Sequence, residues 1–263
     1  MPAANYRKLC PIVGALLISL GGCNPAQNLA LEETFERVYT IEPTTNVTIH
    51  NGDGAVLVYG SNTSEMQVHA IKRAYLRSRL TQIAIDVSTK PGSVSITTKF
   101  PPKPRWGLFD RSGTVDYTIV LPAMANISQL RLVAGEVVVD GMRGPSVHAS
   151  LGDGRMLAHN CFTKIDLALQ RGNLTVSYDW WEHGTFSVHA VIAKGNAWAF
   201  LPSASAFHLV AETAHGRIAN DFDNLAVERT AAAKIDMLVN GGGQAAIKMR
   251  AADGDIKIVE ANP

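Results

Sequence analysis

Between Gln129 and Val176 one short pattern is written three times, as QLRLVAGEVVV (129–139), SVHASLGDGRMLA (146–158) and KIDLALQRGNLTV (164–176). In each copy, alternating apolar residues run into a polar corner holding a glycine, and the alternation then resumes. Period-two alternation places one set of side chains on a single face of an extended chain, so each copy reads as strand, corner, strand. A unit this short cannot bury its own apolar face. Stacking on a copy of itself is what makes a core.

The corner glycines Gly135, Gly154, Gly172, Gly195 and Gly216 lie 19, 18, 23 and 21 residues apart, and further units are expected at Gly243 and Gly254. A period near 20 built from short strands predicts an all-β chain, specifically a β-solenoid resembling a parallel β-helix with rungs of roughly 20 residues. Eight or so rungs spaced ~4.8 Å apart would stack to about 40 Å. Antiparallel hairpins are the competing reading of the same corners, because Asn-Gly and Asp-Gly between apolar runs also make tight turns. A β-sandwich is the alternative architecture, above all for residues 37–121.

Ahead of the repeats, Asn46–Ile49 and Ala55–Tyr59 flank Asn51-Gly52-Asp53-Gly54 as another strand, corner, strand. Met66–Ile71, Ile83–Val87, Ser93–Thr98 and Val115–Leu121 read as further strands. Pro122 ends the last of these because it brings no N–H to a ladder. The expected organisation is a signal peptide over 1–22, a polar tether over 23–36 with a helical turn at Leu29–Arg37, an N-terminal β part over 37–122, and repeats over 123–263 continuous with it.

The beginning of the chain carries an address. Arg7 and Lys8 precede a short apolar run from Pro11 to Leu20, too short to span a bilayer that needs roughly 20 apolar residues. Leu20-Gly21-Gly22-Cys23 resembles the lipobox of bacterial lipoproteins. That resemblance implies a diacylglycerol thioether on Cys23, cleavage before it, and acylation of the freed amine by a chain such as palmitate. Several acyl chains hold a protein to a membrane far more firmly than one. Asn24 follows the cysteine, where an aspartate would signal retention in the inner membrane. The expected place is therefore the outer membrane, on its periplasmic or surface face.

Composition narrows the partners. Of 263 residues, 46% are hydrophobic and 18% charged, which suits a chain that buries a core. Cleavage would remove Arg7 and Lys8 and no acid, leaving 22 basic against 23 acidic residues. So balanced a charge makes no electrostatic case for nucleic acid. Cys10 leaves with the signal, so Cys161 has no second cysteine to pair with beyond Cys23. It reads as a small core thiol.

No HExxH, GxSxG, CxxC or P-loop pattern is present, and no cofactor or metal is expected. Asp53, Asp153, Asp253 and Asp255 recur at corners, as in calcium-binding β-rolls, but tandem nonapeptides are missing; they read as turn residues. His50, His69, His148 and His189 alternate with apolar residues and belong on the outer face of a sheet.

Two places break the rhythm. Asp179-Trp180-Trp181-Glu182-His183 lengthens one interval, and adjacent tryptophans in an extended chain face opposite ways, so one packs inward and the other faces solvent. An exposed aromatic between Asp179 and Glu182 suits stacking on a sugar ring. The loop from Lys99 to Gly113, with Arg105 and Trp106, is an amphipathic tip suited to lipid phosphates or a partner. Trp180, Trp181, Asp179, Glu182, Trp106 and Arg105 are thus the candidate ligand-binding residues, and Cys23 the lipidation site.

VDYTIVLP (115–122), the AGEVVV, GDGRM and RGNLTV corners, AETAHGRIANDF (211–222) and NGGGQAAIKMRAADGDIKIVE (240–260) together resemble the bacterial putative-adhesin family over residues 38–260. The resemblance implies an exported or membrane-attached β-helical domain. Leu-Gly-Asp-Gly at 151–154, Arg-Gly-Asn at 171–173 and Lys-Gly-Asn at 194–196 depart from that family's Ser-Gly-Asp corner. The expected function is an adhesin-like binding or scaffold module that presents its faces to a polysaccharide or an envelope protein and catalyses nothing. A carbohydrate-active enzyme using Asp179, Glu182 and His183, and an envelope-stress accessory protein, are the alternatives.

Overall fold

The computed structural model describes residues 30–102, 113–222, 229–230 and 233–261. In chain order the elements are β1 (Leu31–Thr40), β2 (Asn46–Ser61), β3 (Glu65–Ala74), α1 (Arg77–Leu80), β4 (Ala84–Lys90), β5 (Ser93–Lys99) and β6 (Thr114–Pro122). Then come β7 (Asn126–Asp140), β8 (Ser146–His159), β9 (Lys164–Ser177), β10 (Ser187–Pro202), β11 (Phe207–His215) and β12 (Arg217–Asn220). The last are β13 (Arg229–Thr230), β14 (Lys234–Val239), β15 (Ala246–Asp253) and β16 (Ile256–Ala261). The protein is all-β, and the described strands form one mixed, open 16-stranded sheet.

The middle of the sheet is parallel and in register. β8 pairs with β9 from Ser146↔Lys164 to His159↔Ser177, the same alignment joins β9 to β10, and β7 joins β8 with one register shift between Ile127 and Leu130. These pairs are not the antiparallel hairpins that the corners also allowed. A straight strand of 14 residues runs about 45 Å, whereas the four-residue link 160–163 reaches no more than about 18 Å. So short a link can start a parallel neighbour only if β8 has turned back toward its own beginning. It turns at Gly154, and both halves send alternate side chains into one core: Val147, Ala149 and Leu151 before the corner, Met156 and Ala158 after it.

In register, the core residues form columns through the stack. One column runs Val47, Ile127, Val147, Ile165, Val188, Ile247, Leu209, every member buried. The corners form a column too. Gly54, Gly135, Gly154, Gly172, Gly195 and Gly254 all have φ between 119° and 148°, a region L-residues avoid. A Cβ on Gly154 would stand 1.8 Å from the carbonyl oxygen of Gly135, and one on Gly172 1.8 Å from that of Gly154. Only glycine lets the backbones approach this closely.

Spatial order departs from chain order at both ends. β2 lies between the β5/β6 unit and β7, and the β15/β16 unit lies between β10 and the β11/β12 unit. Hence Gly254, rather than Gly216, stacks on Gly195. Gly243 is no corner at all: it precedes β15 in a connector beside Ala206. The parallel stack of eight units is flanked by antiparallel strands, with β4 on β5 and β3 on β6 at one end, and β14 on β11 and β13 on β12 at the other.

From Leu31 on, strand replaces what the sequence suggested as tether over 23–36 and helical turn at Leu29–Arg37. Leu31 to Glu36 belong to β1, which pairs with β3 over ten residues. Leu31, Phe35 and Tyr39, four apart, mimic a helical stripe. Four is also an even number, so the same residues share one face of a strand, and there they pack against the core.

Candidate functional site

The Asp179–His183 cluster lies in the connector from β9 to β10, residues 178–186, which is longer than the counterpart 160–163 one unit earlier. Its two tryptophans divide as opposite faces require. Trp181 packs on Tyr178, Phe186 and Phe207 with ring centroids 5.6, 5.1 and 5.5 Å away, while Trp180 is 46% exposed. Phe162, from the preceding connector, meets both Tyr178 and Trp180, at 5.0 and 5.7 Å.

Both carboxylates of the cluster are already held. Arg143 donates two hydrogen bonds to Glu182, of 2.6 and 2.7 Å, with its guanidinium 5.1 Å over the Phe162 ring. Trp180 donates Nε1–H to the same carboxylate at 2.9 Å. Asp179 faces His159 Nε2 at 3.1 Å and accepts from Asn160 Nδ2 at 3.1 Å, while Asp140 faces His159 Nδ1 at 3.1 Å. The hydrogen bond from His159 holds Asp179 below the usual carboxylate range, and the Arg143 hydrogen bonds do the same to Glu182. Glycoside hydrolysis needs one carboxyl raised to deliver a proton, and here both shifts run the other way.

A cleft of about 420 Å³ opens beside the connector, between Trp181, Glu182, His183 and Gly184 on one side and Gly242 to Ala245 on the other. Thr185 and Gln244 bridge the two sides at 2.8 Å. A second concavity, of about 300 Å³, lies on the outer face of the first halves of β7 to β10. His148 Nδ1 stands 3.1 Å and His189 Nδ1 3.4 Å from the Asp166 carboxylate between them. Arg131 lines the same groove.

The remaining sequence candidates sort as follows. Cys161 is buried, and burial pushes its thiol up to about 12, so it is no thiolate nucleophile. The corner aspartates form ion pairs across units: Asp153 with Arg171 at 3.0 Å, Asp253 with Lys194 at 3.9 Å, Asp255 with Arg217 at 3.8 Å. Among the described residues no group of three acids, histidines or cysteines is arranged to hold a metal. Arg105, Trp106 and Cys23 lie outside the described residues.

Sequence reasoning missed Arg143, Phe162 and His159 at the cluster, and Arg131 and Asp166 in the groove. The period held the signal. His148, Asp166 and His189 are 18 and 23 residues apart, the same intervals that separate Gly154, Gly172 and Gly195, so they must share a row.

The fold recurs in a solved bacterial structure. A "putative cell adhesion protein" from Clostridium sporogenes superposes with a TM-score of 0.52 at 16% identity, covering 87% of this chain and 100% of that one. A "putative adhesin" from Bacteroides fragilis covers 86% of this chain and 97% of its own, at 9% identity and a TM-score of 0.31. A "putative lipid binding protein" from Parabacteroides distasonis covers the same shares at 14% identity and a TM-score of 0.33. At 16% identity the likeness to the Clostridium sporogenes protein is one of fold. No family model and no curated protein matches the chain.

Proposed function

We propose that the chain is a lipid-anchored β-solenoid of the bacterial cell envelope that works as an adhesin-like binding or scaffold protein and catalyses nothing itself. The observation that carries this reading is the in-register parallel stack flanked at both ends by antiparallel strands. Such a stack is stiff and presents long, ordered rows of side chains. The fold shared with the Clostridium sporogenes protein supports the adhesin-like part. The lipobox around Cys23 supports the anchor, in the outer membrane on its periplasmic or surface face. With β1 starting at Leu31, the seven residues after Cys23 reach at most about 25 Å, keeping the body near the lipid. A polysaccharide or an envelope protein is the partner.

Two experiments test the parts separately. Palmitate labelling in cells should mark the native chain and vanish in Cys23→Ser; a label that survives that change would remove the anchor. Deleting residues 146–163, one whole unit, should leave a folded protein, because units of a solenoid touch only their neighbours. A sandwich would collapse. The cleft beside His183 favours the carbohydrate-active alternative, and the ionised state of Asp179 and Glu182 opposes it. Turnover of a polysaccharide that disappears when Asp179, Glu182 and His183 are replaced together would reinstate it.

A further inference from the structure

We infer that the groove across the first halves of β7 to β10 binds a segment of acidic glycan laid across the stacked strands. The inference rests on the reading of the chain as a binding protein, but not on its anchor.

The groove is built by two neighbouring rows. One row is Arg131, Ser150, Ala168 and Val191, whose last three members are small and leave a trough. Beside it stand His148, Asp166 and His189, rising as a wall. An apolar floor with a few convergent polar groups is the general form of a ligand site; Ala168 and Val191 provide the floor for the C–H face of a sugar.

Charge selects the ligand. Among the described residues Asp166 is the one carboxylate lining the groove, and it is already engaged by both histidine Nδ1 atoms and, at 3.8 Å, by Lys164. Each imidazole keeps its Nε2 without a protein partner among the described residues. Arg131 likewise has no hydrogen bond or ion pair there, and its fork fits a carboxylate in two-point contact. Lys248, next in the row after His189, extends the positive side. Arg131, the two Nε2 atoms and Lys248 lie about one strand spacing or a small multiple of it apart, so a chain of repeating acidic sugars meets them in succession, its hydroxyls donating to Nε2 and its carboxylates accepting from Arg131 and Lys248, which a single small anion cannot.

Calorimetric titration of the full-length protein in detergent tests this, with tetragalacturonate as the probe and maltotetraose and inorganic phosphate beside it. Tetragalacturonate should bind, more weakly as salt rises, and the two comparison probes about tenfold more weakly or not at all. Arg131→Gln, and His148→Gln with His189→Gln, should each weaken uronate binding about tenfold or more with melting temperature unchanged, while Trp180→Ala should leave it intact. The inference is overturned by no binding, by binding indifferent to the groove variants, by phosphate binding equally well, or by loss of binding in Trp180→Ala. Loss of palmitate labelling with uronate binding preserved would remove the anchor and leave the groove standing.

Discussion

Each unit of the stack turns twice, and the two turns obey different rules. At the glycine corner a positive-φ glycine carries the turn, and the backbones of successive units touch there: Gly135, Gly154 and Gly172 approach until no Cβ fits between them. At the opposite end the connectors differ in length, from four residues at 160–163 to nine at 178–186, and the space is filled by side chains. Phe162, Tyr178, Trp181, Phe186 and Phe207 form a continuous aromatic cluster over that end. Backbone contact tolerates one residue type, whereas side-chain contact tolerates any set that fills the volume. The first turn therefore keeps the stack in register, and the second is where insertions and new surface chemistry are admitted.

The contrast breaks most sharply at the glycine column. Gly154→Ala combines positive-φ strain with a Cβ only 1.8 Å from a neighbouring carbonyl oxygen, and should cost roughly 3–5 kcal/mol, read as a fall in denaturation midpoint. A melting temperature within a few degrees of the parent would show that the column can spread. At the other turn, Trp181→Ala removes an aromatic that is packed but only partly buried, so a loss of about 2–3 kcal/mol is expected by the same measurement. A change near zero would make the insertion a surface appendage instead of a cover.

A smaller effect belongs to the polar clasp over the aromatics. The Arg143–Glu182 pair is more than a third exposed on both sides, so a double-mutant cycle of Arg143→Gln with Glu182→Gln should report roughly 0.5–1 kcal/mol of coupling. Asp179 and Glu182 both titrate below their ordinary values of 3.8 and 4.5. Their stabilisation is therefore fully present above those values and is lost as pH falls through the lower folded ones. Unfolding measured from pH 5 downward should be less steep in Asp179→Asn with Glu182→Gln than in the parent. Identical profiles would mean that the clasp contributes nothing in solution. The smallest effect is expected at Gly184, in the same connector. A Cβ there meets no atom within 4 Å, and Gly184→Ala should change stability by no more than about 0.5 kcal/mol. Equal costs at Gly154 and Gly184 would erase the distinction between the turns.

Much of the fold was legible because its signal is local and repeated. The alternation of Val147, Ala149 and Leu151 ahead of Gly154, copied as Ile165, Leu167 and Leu169 ahead of Gly172, gave the strands, their buried faces and their corners. The outward Trp180 and inward Trp181 followed from the same alternation. The helical turn expected at Leu29–Arg37 failed because a spacing of four, as between Leu31 and Phe35, satisfies a helix and a strand alike. Gly243 misled for a related reason: a glycine in a loop and a glycine at a corner look the same until their neighbours are known. The candidate site was half legible. Trp180, Trp181, Asp179 and Glu182 stood out as a break in rhythm, but Phe162 and Arg143 come from connectors one and two units away.

The sequence by itself determined the unit: alternation decides which side chains face inward, and a glycine every twenty or so residues decides where the chain can reverse. Only the tertiary structure decided the order of units. β2 and the β15/β16 unit each enter the stack one place inside its end, and nothing local encodes this, because the columns of Val, Ile and Leu make adjacent units nearly interchangeable. Stacking likewise decided what the charged residues do. It turned Asp153 and Asp253 into ion-pair partners, clamped Glu182 beneath Arg143, and aligned Arg131, His148 and His189 along one groove. Residues some twenty apart in the chain become neighbours when a strand lies one backbone spacing from its copy.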